Sequence, residues 1–565
     1  MSAPLLPSLS PQAILAGVAL TALLAVETPA PPAQPRVTGA SLFASWAATP
    51  ATHSHIPAIG RAGRRAQAPT PTTVIPVSAH GAKPDDDGDD TAAIRAAIAD
   101  AERRVRADPA LRIAVVLPKG TFAVSDILFI GAPRVWLVGA GSGQTTLAIS
   151  KALNEVVPMG YKAGDLSTEG RNFSWRGGMV WFGHDPFALP ATSPAVSVSG
   201  RAAEGATTIQ VPVAHAARVA AWIGQPVHLR YRGDDAWRRH VFGHPSASQY
   251  DWATWTMIGA DGTLRWEYAT RITAVDAATG TVTLDEPLRL PIEPAWDVLV
   301  GQRSGELTDN GLVGVRIAFP EHKETAHLEN FGYNGVFFSV ANEGLVQDVA
   351  IHNAENGVIL ERTSRSTVRQ VTMTGSPMHH AFSLREQCGG NLIQEFTVKA
   401  KVHHGLSVQD LSSGNVYTRG VMDHGGIDSH RGMPFDHAVT DVTIRGDGHG
   451  GGAASGGPLV GRRMVMWNVR VTIPPIVAQA TTPEEAKREQ RDMVRRDRRL
   501  SALAGQQHSV MGAIIGVHGA RPQPESKPWA LPPGDKGTLT GDWGVTPAPA
   551  NLYEAQRAHL TGSGR

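Results

Sequence analysis

Hydrophobic and polar residues alternate in short runs over residues 335–445, and each run follows a small residue. A second alternating run follows each of the first ones. Alternation with a period of two indicates short strands that bury one face. The small residues that open the runs are separated by 22, 24, 24 and 21 residues, and they are Gly335, Gly357, Ala381, Gly405 and Gly426.

This spacing predicts a solenoid. Two or three short strands per turn of about 22 residues are typical of a parallel β-helix, in which equivalent residues stack about 4.8 Å apart. The pair His379-His380 returns as His403-His404 after 24 residues. We therefore expect His379 to lie over His403 and then over His424. In a neighbouring column we expect His380 to lie over His404.

Three segments near the N-terminus resemble the pectate-lyase superfamily of right-handed parallel β-helix proteins. They read HGAKPDDDGDDTAAIRAAIADAE from residue 80, VVLPKGTFAVSDILFI from residue 115 and VWLVGAGSGQTTL from residue 135. That superfamily opens with a similar Gly-Ala-Lys segment, a helix and a Leu-Pro-x-Gly-Thr strand. The resemblance implies an all-β fold, a right-handed parallel β-helix. It also implies lyase or hydrolase chemistry on polysaccharides.

The residues around the first of these segments also predict a cap for the solenoid. Asp89 or Asp90 is suited to begin a helix by accepting hydrogen bonds from its first N–H groups. Such a helix would cover the open end of the β-helix, where unpaired strand edges invite aggregation. Its apolar stripe consists of Ile94, Ala97, Ile98, Ala101 and Val105.

The N-terminus carries an apolar run from Ala13 to Val26 that is too short to span a bilayer and long enough for a signal-peptide core. No Lys or Arg precedes it, so a membrane anchor or an unstructured tail stays open. We predict export, to the periplasm or the medium.

The sequence is predicted to divide into six parts. They are a signal-like segment 1–26, a disordered linker 27–72, the cap and first coils 73–150, an inserted small β module 151–300, coils with the site 301–475, and a C-terminal helix, last coil and wrapping tail 476–565.

Composition narrows the set of partners. The net charge of the 565 residues is +1, so no strong positive field favours nucleic acid, and we predict no membrane span beyond an anchor at the signal. Cys388 is the single cysteine, which excludes an internal disulfide. An extended polysaccharide is the predicted partner, and the sequence does not set the oligomeric state.

The module 151–300 is rich in aromatic residues, whose faces can stack on sugar rings. Trp252 and Trp255 are the candidates for such substrate binding. The alternative is that the module's aromatic residues form its own core.

Outward positions of the coils concentrate ionisable groups on three neighbouring turns. The predicted columns are Ser383, Ser407 and Asp428; Arg385, Gln409 and His430; and Glu386, Asp410 and Arg431. His379, Ser407 and Gln409 are predicted to bind substrate. This concentration favours an enzyme over a non-catalytic glycan-binding or surface protein.

Two reactions fit these groups. Elimination on a uronate needs a cation beside the carboxylate, for which Arg385 or Arg431 is the candidate. It also needs a base. The candidates for that base are His403, His424 and His430. Hydrolysis would use two carboxylates instead. The candidates for those are Asp428 with Asp410 or Glu386. We predict a lyase acting on a uronate-containing glycan, with a glycoside hydrolase as the alternative.

No cofactor is predicted. Calcium stays open, but the coils lack the acidic triplet that would support it. A three-histidine metal site at His379, His403 and His424 is an alternative to a catalytic role. His380 and His404 lie in a column with Asn334 and Asn356, which favours a structural ladder at a turn.

Overall fold

The computed structural model describes residues 37–63, 70–157, 172–183, 195–243, 264–325, 329–445, 458–472, 482–484, 487, 511–519 and 537–562. The signal-like segment 1–26 lies outside these ranges, as does most of the charged stretch predicted as a C-terminal helix. Within the described ranges, no helix has the length and apolar character needed to cross a membrane.

Short strands make up most of the regular secondary structure in the described ranges. Those before residue 302 are β1 Thr73–Pro76, β2 Ile113–Val116, β3 Gly120–Val124, β4 Leu128–Ile130, β5 Val135–Val138, β6 Thr145–Ile149, β7 Val180–Gly183, β8 Ala195–Ser197, β9 Thr208–Gln210, β10 Pro226–Gly233, β11 Leu264–Asp276, β12 Thr281–Leu284 and β13 Leu299–Gly301. Those after it are β14 Leu307–Thr308, β15 Gly311–Ala318, β16 Asn334–Ser339, β17 Ala341–Asn342, β18 Leu345–His352, β19 Asn356–Glu361, β20 Thr367–Thr374, β21 Met378–Arg385, β22 Leu392–Gln394, β23 Thr397–Val398, β24 Val402–Gln409, β25 Val416–Met422, β26 Ile427–Arg431, β27 Ala438–Ile444, β28 Val465–Val471, β29 Ala513–Ile515 and β30 Leu539–Gly541.

Helices are few. The α-helices are α1 Gly39–Ala48, α2 Thr91–Ala107, α3 Leu153–Val156, α4 Val213–Ala220, α5 Asp235–Phe242 and a C-terminal helix Leu552–Gly562, and short 3₁₀ turns span Val77–His80, Asn172–Ser174 and Pro294–Trp296.

Two long sheets of parallel strands run along the molecule. The first has 15 strands, with β15, β18, β20, β25, β27 and β28 along its middle. The second has seven, in the order β26-β24-β21-β19-β16-β7-β4. Each strand pairs with the strand one coil later, as Asn356 does with His380 and His380 with His404. The fold is therefore the predicted right-handed parallel β-helix, with the handedness general for parallel crossovers.

One left-handed residue recurs at the same place in each coil of the first sheet. Val313 pairs with Gln347 and Val315 with Val349, so the residues between them lie opposite each other. A residue in this conformation interrupts the alternation of inward and outward side chains. Consecutive buried apolar residues are therefore three positions apart across it, as Val346 and Val349 are, and two positions apart after it, as Val349 and Ile351 are. The residues at this place with positive φ are Gly314, Asp348, Gln370, Glu395, Arg419, Asp441 and Asn468.

The predicted cap helix is α2. Its apolar stripe, from Ile94 to Val105, is buried against the first coils. Asp90 occupies the N-cap position, but its carboxylate accepts from the N–H groups of Lys83 and Ala123. Asp89 instead accepts from the N–H of Thr91, so the neighbouring aspartate takes over the capping contact.

Residues 195–301 contain a separate antiparallel sheet in the order β8-β13-β10-β11-β12-β9. Trp237, Trp266 and Tyr268 are buried in its core, so these rings are not available for stacking on a sugar. The ring of Trp266 also lies 5.4 Å from that of Phe435 on the solenoid. Trp252 and Trp255, the two predicted to bind substrate, lie outside the described residues.

The prediction of a disordered linker over 27–72 is wrong for residues 37–63. Helix α1 packs Leu42 and Trp46 on the outer side of the first sheet, against Trp467 and against Tyr553 of the C-terminal helix. The apolar residues of this segment are spaced irregularly between prolines and glycines. A segment that folds only against a distant surface gives no periodic signal of its own.

Candidate active site

A single column of outward-facing residues crosses all seven strands of the second sheet. Register places Phe129 of β4 beside Trp181 of β7, and Trp181 beside Phe337 of β16. The column continues through neighbouring pairs to the end of the sheet. Its last four members are Ile359, Ser383, Ser407 and Asp428. The predicted stacking of Ser383, Ser407 and Asp428 is therefore confirmed.

A short segment, residues 172–176, lies over the middle of this face. We call it the strap. Its backbone carbonyls accept hydrogen bonds from the coils beneath: that of Phe173 from the Asn334 and Asn356 amides and that of Ser174 from His379. The strap therefore closes the face over β16, β19 and β21.

The strap contacts two residues that were predicted to be catalytic, Arg385 and Glu386. Arg385 is 3% exposed, and it donates to the carbonyl of Trp175. Burial, reinforced by the charge of Arg176, lowers the pKa of Arg385. Glu386 pairs with Arg176 at 2.7 Å and with Arg362 at 3.0 Å. Both predicted residues therefore hold the strap in place and do not face a groove, which corrects the sequence-based expectation.

The second correction concerns the register of the last strand. Ser429 pairs with Val408, but Gln409 pairs with Arg431, so His430 is an extra residue in a β-bulge. The predicted columns of Arg385, Gln409 and His430 and of Glu386, Asp410 and Arg431 are therefore both wrong at their last member. A bulge re-aims side chains, and here it turns His430 and Arg431 outward in succession.

The bulge brings two imidazoles to one carboxylate. His404 Nδ1 lies 2.9 Å and His430 Nδ1 lies 3.3 Å from the same Oδ2 of Asp428. Burial would raise the pKa of Asp428, but the two close histidines outweigh it and hold the pKa below its usual range. Asp428 is therefore an anion, as a carboxylate that orients imidazoles must be.

The rings around His404 are closely packed. The His380 ring stacks on it at 4.7 Å, and the His430 ring meets it edge-on at 4.9 Å. His380 Nδ1 lies 3.0 Å from the amide oxygen of Asn356. Burial, followed by the neighbouring charges, lowers the pKa of His380 well below its usual range, so this ring is neutral. His380 thus belongs to the expected ladder, whereas His404 belongs to the cluster as well.

His403 and His424 are not among the groups around Asp428, although the His403 ring meets the His404 ring edge-on at 4.4 Å. Both side chains are exposed. The His379 and His403 rings lie 6.0 Å apart, as expected for adjacent coils. Among described residues, the groups whose ligand atoms converge are His379, His380 and His404, and His404, Asp428 and His430. The alternative three-histidine metal site at His379, His403 and His424 is therefore not formed.

Three more predicted residues lie beside the cluster on and just after β24: Ser407, Gln409 and Asp410. Ser407 Oγ and Gln409 Oε1 are buried without a hydrogen-bond partner in the part of the chain that the structure describes. Unpaired buried polar atoms are uncommon in a core and call for a functional explanation. Asp410 is buried 3.7 Å from Arg431 Nε, and burial raises its pKa.

Only part of this arrangement could be read from the sequence. Asp428, His430 and Arg431 were predicted, but His404 was assigned to a structural ladder because it shares a column with asparagines. The repeat places His404 one coil before the start of β26, but the bulge that turns His430 toward the same carboxylate is visible only in the structure.

Residues 74–219 match the family "Rhamnogalacturonase A/epimerase, pectate lyase-like". No curated protein matches the chain. Among solved structures, the tailspike gp61 of Pseudomonas phage phi297 is 11% identical with a TM-score of 0.34, over 79% of this chain and 80% of that one. The family 28 exopolygalacturonase of Yersinia enterocolitica is 10% identical with a TM-score of 0.34, over 71% and 72%. An ι-carrageenase bound to ι-carrageenan fragments is 7% identical with a TM-score of 0.35, over 75% and 64%.

The match over residues 74–219 covers the cap helix, the first coils and the start of the antiparallel module. The coils that follow continue the same two parallel sheets. Over residues 74–219 the chain is similar to that pectate lyase-like family, and the described strands form the right-handed parallel β-helix that the sequence predicted.

Proposed function

We propose that the protein is an exported polysaccharide lyase that cleaves a uronate-containing glycan by β-elimination. The observation that carries the proposal is the sharing of one Asp428 oxygen by His404 and His430, at 2.9 and 3.3 Å. The match to a pectate lyase-like family supports the substrate class. Arg431 follows His430 directly in the bulge and supplies a cation beside the imidazoles.

The proposed reaction begins at the carbon next to the uronate carboxylate. Arg431 pairs with that carboxylate and so makes the neighbouring proton more acidic. His430 removes the proton, the electron pair forms a carbon–carbon double bond, and the bond to the glycosidic oxygen breaks. The departing oxygen takes a proton from water or from a neighbouring imidazole. Asp428 is a positioning residue that fixes both rings and stabilises the charged imidazole.

Exposure decides which histidine is the base. The side chain of His430 is 22% exposed and that of His404 is 12% exposed. His430 is therefore the base, and His404 shares its carboxylate. His403 and His424, which are exposed on the same edge, are proposed to contact the glycan.

One observation favours hydrolysis as the second candidate. Burial raises the pKa of Asp410, whereas the two histidines hold the pKa of Asp428 down. Carboxyl groups whose pKa values are pushed apart are typical of an acid and base pair. Both side chains are buried, however, and the oxygen of Asp428 is already engaged by two rings. Elimination uses the exposed groups and is preferred.

The test is digestion of a panel of uronate-containing and neutral glycans by the purified full chain. We expect ultraviolet absorbance from unsaturated uronates, and we expect His430→Gln to abolish it. His215→Gln is the matched control, because His215 is exposed on helix α4, away from the cluster. New reducing ends without unsaturation would establish the hydrolase instead. Retention of a glycan without cleavage would establish a binding protein.

A further inference from the structure

Two histidines and an aspartate at the end of the second sheet form a set of metal-ligating atoms. One nitrogen each of His404 and His430 and one oxygen of Asp428 all lie within 4.8 Å of one another. All three residues belong to β24 and β26, two adjacent strands that pair up to the bulge at His430. The pairing of Ser407 with Asp428 fixes the carboxylate relative to β24, and the bulge brings the His430 ring to it.

The distances suit a small transition-metal ion. Zinc bonds of about 2.0–2.1 Å in a tetrahedral site place neighbouring ligand atoms roughly 3.3 Å apart. The two nitrogen–oxygen distances here are 2.9 and 3.3 Å. The distance between the two nitrogens is within 4.8 Å, so an ion could take the place of the two close nitrogen–oxygen contacts after a rearrangement of the rings. We propose that His404, Asp428 and His430 bind one zinc ion, with a fourth position open toward the exposed side of the cluster.

The chemistry of the three groups selects the kind of ion. Two imidazoles and a carboxylate suit zinc and other late first-row metals, whereas calcium and magnesium prefer oxygen ligands. The ring of His404 is already held between His380 and His430, at 4.7 and 4.9 Å. Partners that fix the orientation of a ligand ring raise metal affinity.

A second triad, His379, His380 and His404, shares one ligand with the first. Its other rings are less suited to an ion. His379 Nδ1 lies 2.7 Å from the carbonyl oxygen of Ser174, and His380 Nδ1 lies 3.0 Å from Asn356. Both side chains are also buried. The triad that contains Asp428 is therefore the site.

Zinc binding does not depend on the proposed function, because it can be measured without a glycan. If both hold, zinc bound at Nδ1 makes the other nitrogen of His430 a weaker base, and zinc inhibits cleavage. Failure to cleave any glycan would leave the zinc result standing, and failure to bind zinc would leave the elimination reaction standing.

The experiment is calorimetric titration of the full chain with zinc chloride at near-neutral pH. We expect one ion per chain, no comparable binding of calcium, and a loss of affinity of more than about 100-fold in His404→Ala and His430→Ala, beyond the effect of an outer partner. Asp428→Asn keeps the shape of the site and should lose affinity likewise. His424→Ala and His215→Gln replace exposed histidines that are not among the groups around Asp428, and both variants should bind as the native chain does.

Two results would overturn the proposal. One is the absence of zinc binding, by heat and by equilibrium dialysis, at protein and zinc concentrations of about 100 micromolar. The other is an equal loss in the control variants, which would place the ion on the exposed histidines. Circular dichroism of every variant separates loss of the site from loss of the fold.

Discussion

The two ends of one column on the second sheet are built from opposite chemistry. At one end Phe129, Trp181, Phe337 and Ile359 pack together, with the Trp181 and Phe337 rings 4.8 Å apart. At the other end Asp428 holds two imidazoles. The backbone pairing is the same throughout, so the ladder does not decide what the outer positions carry.

The two ends of the column differ in whether other parts of the chain cover them. The strap closes the middle of the face, and its carbonyls take the hydrogen bonds of the coils below. The last strand, β26, is the end of the sheet, and His430 and Arg431 there stay partly exposed. Packing is thus the role of this column where it is covered, and chemistry is proposed where it is open.

The largest expected effect is on catalysis. Asp428→Asn should lower the rate of elimination by about 10³-fold, because the two rings lose the anion that orients them and stabilises their charge. The measurement is the initial rate of unsaturated product formation. Ser383→Ala, two coils earlier in the same column, should leave that rate within a factor of two. An equal loss of rate in this variant would show that the reaction is not confined to the open end of the column.

The converse substitution tests the apolar end. Phe337→Ala should lower the free energy of unfolding by about 3–5 kcal/mol, because it leaves a cavity beside Trp181. Chemical denaturation measures this. The rate per folded molecule should stay unchanged, and a large loss of rate at native stability would mean that the covered end also takes part in the reaction.

A third prediction contrasts the cluster with a purely structural histidine. Burial lowers the pKa of His437 to about 4, below the 6.5 expected in an unfolded chain. The neutral ring therefore stabilises the fold fully above pH 6.5, and this contribution is lost as the pH falls toward 4, by about 3 kcal/mol. Denaturation curves across that range measure it. His437→Asn should flatten the dependence, and an unchanged slope would assign it to other groups.

The smallest expected effect on stability concerns the half-exposed ion pair between Arg362 and Glu386, beside the strap. Arg362 pairs with Glu386 at 3.0 Å but is half exposed. Arg362→Ala should cost less than about 1 kcal/mol of stability, as exposed ion pairs do. Arg176 joins Glu361 and Glu386 where all three are largely buried, so Arg176→Met should cost several times more. Similar losses would show that the strap is not anchored by its buried pair.

The sequence predicts the fold well because the spacing of the repeat gives the register between neighbouring coils. The steps between Gly335 and Gly426 place Ser383, Ser407 and Asp428 in one column, and the structure agrees. The same count fails at His430, because a bulge adds one residue without changing the apolar pattern before it. Counting from a repeat assumes equal coils, and a bulge breaks that assumption locally.

Contacts made by segments outside the repeat could not be predicted either. The strap covers Arg385 through backbone carbonyls, which any sequence can provide. Residues 37–63 find their place only against the first sheet and the C-terminal helix. The sequence therefore indicates which groups face outward but not which of them stay open to a ligand.

The most direct test of the central claim is the nitrogen NMR spectrum of the histidine rings, recorded for the native chain and for Asp428→Asn. We predict that His404 and His430 both carry hydrogen on Nδ1 and that both signals shift when Asp428 is replaced, while those of His403 and His424 stay in place. If the replacement leaves His404 and His430 unchanged, the two rings do not share the carboxylate, and the active site proposed here is contradicted.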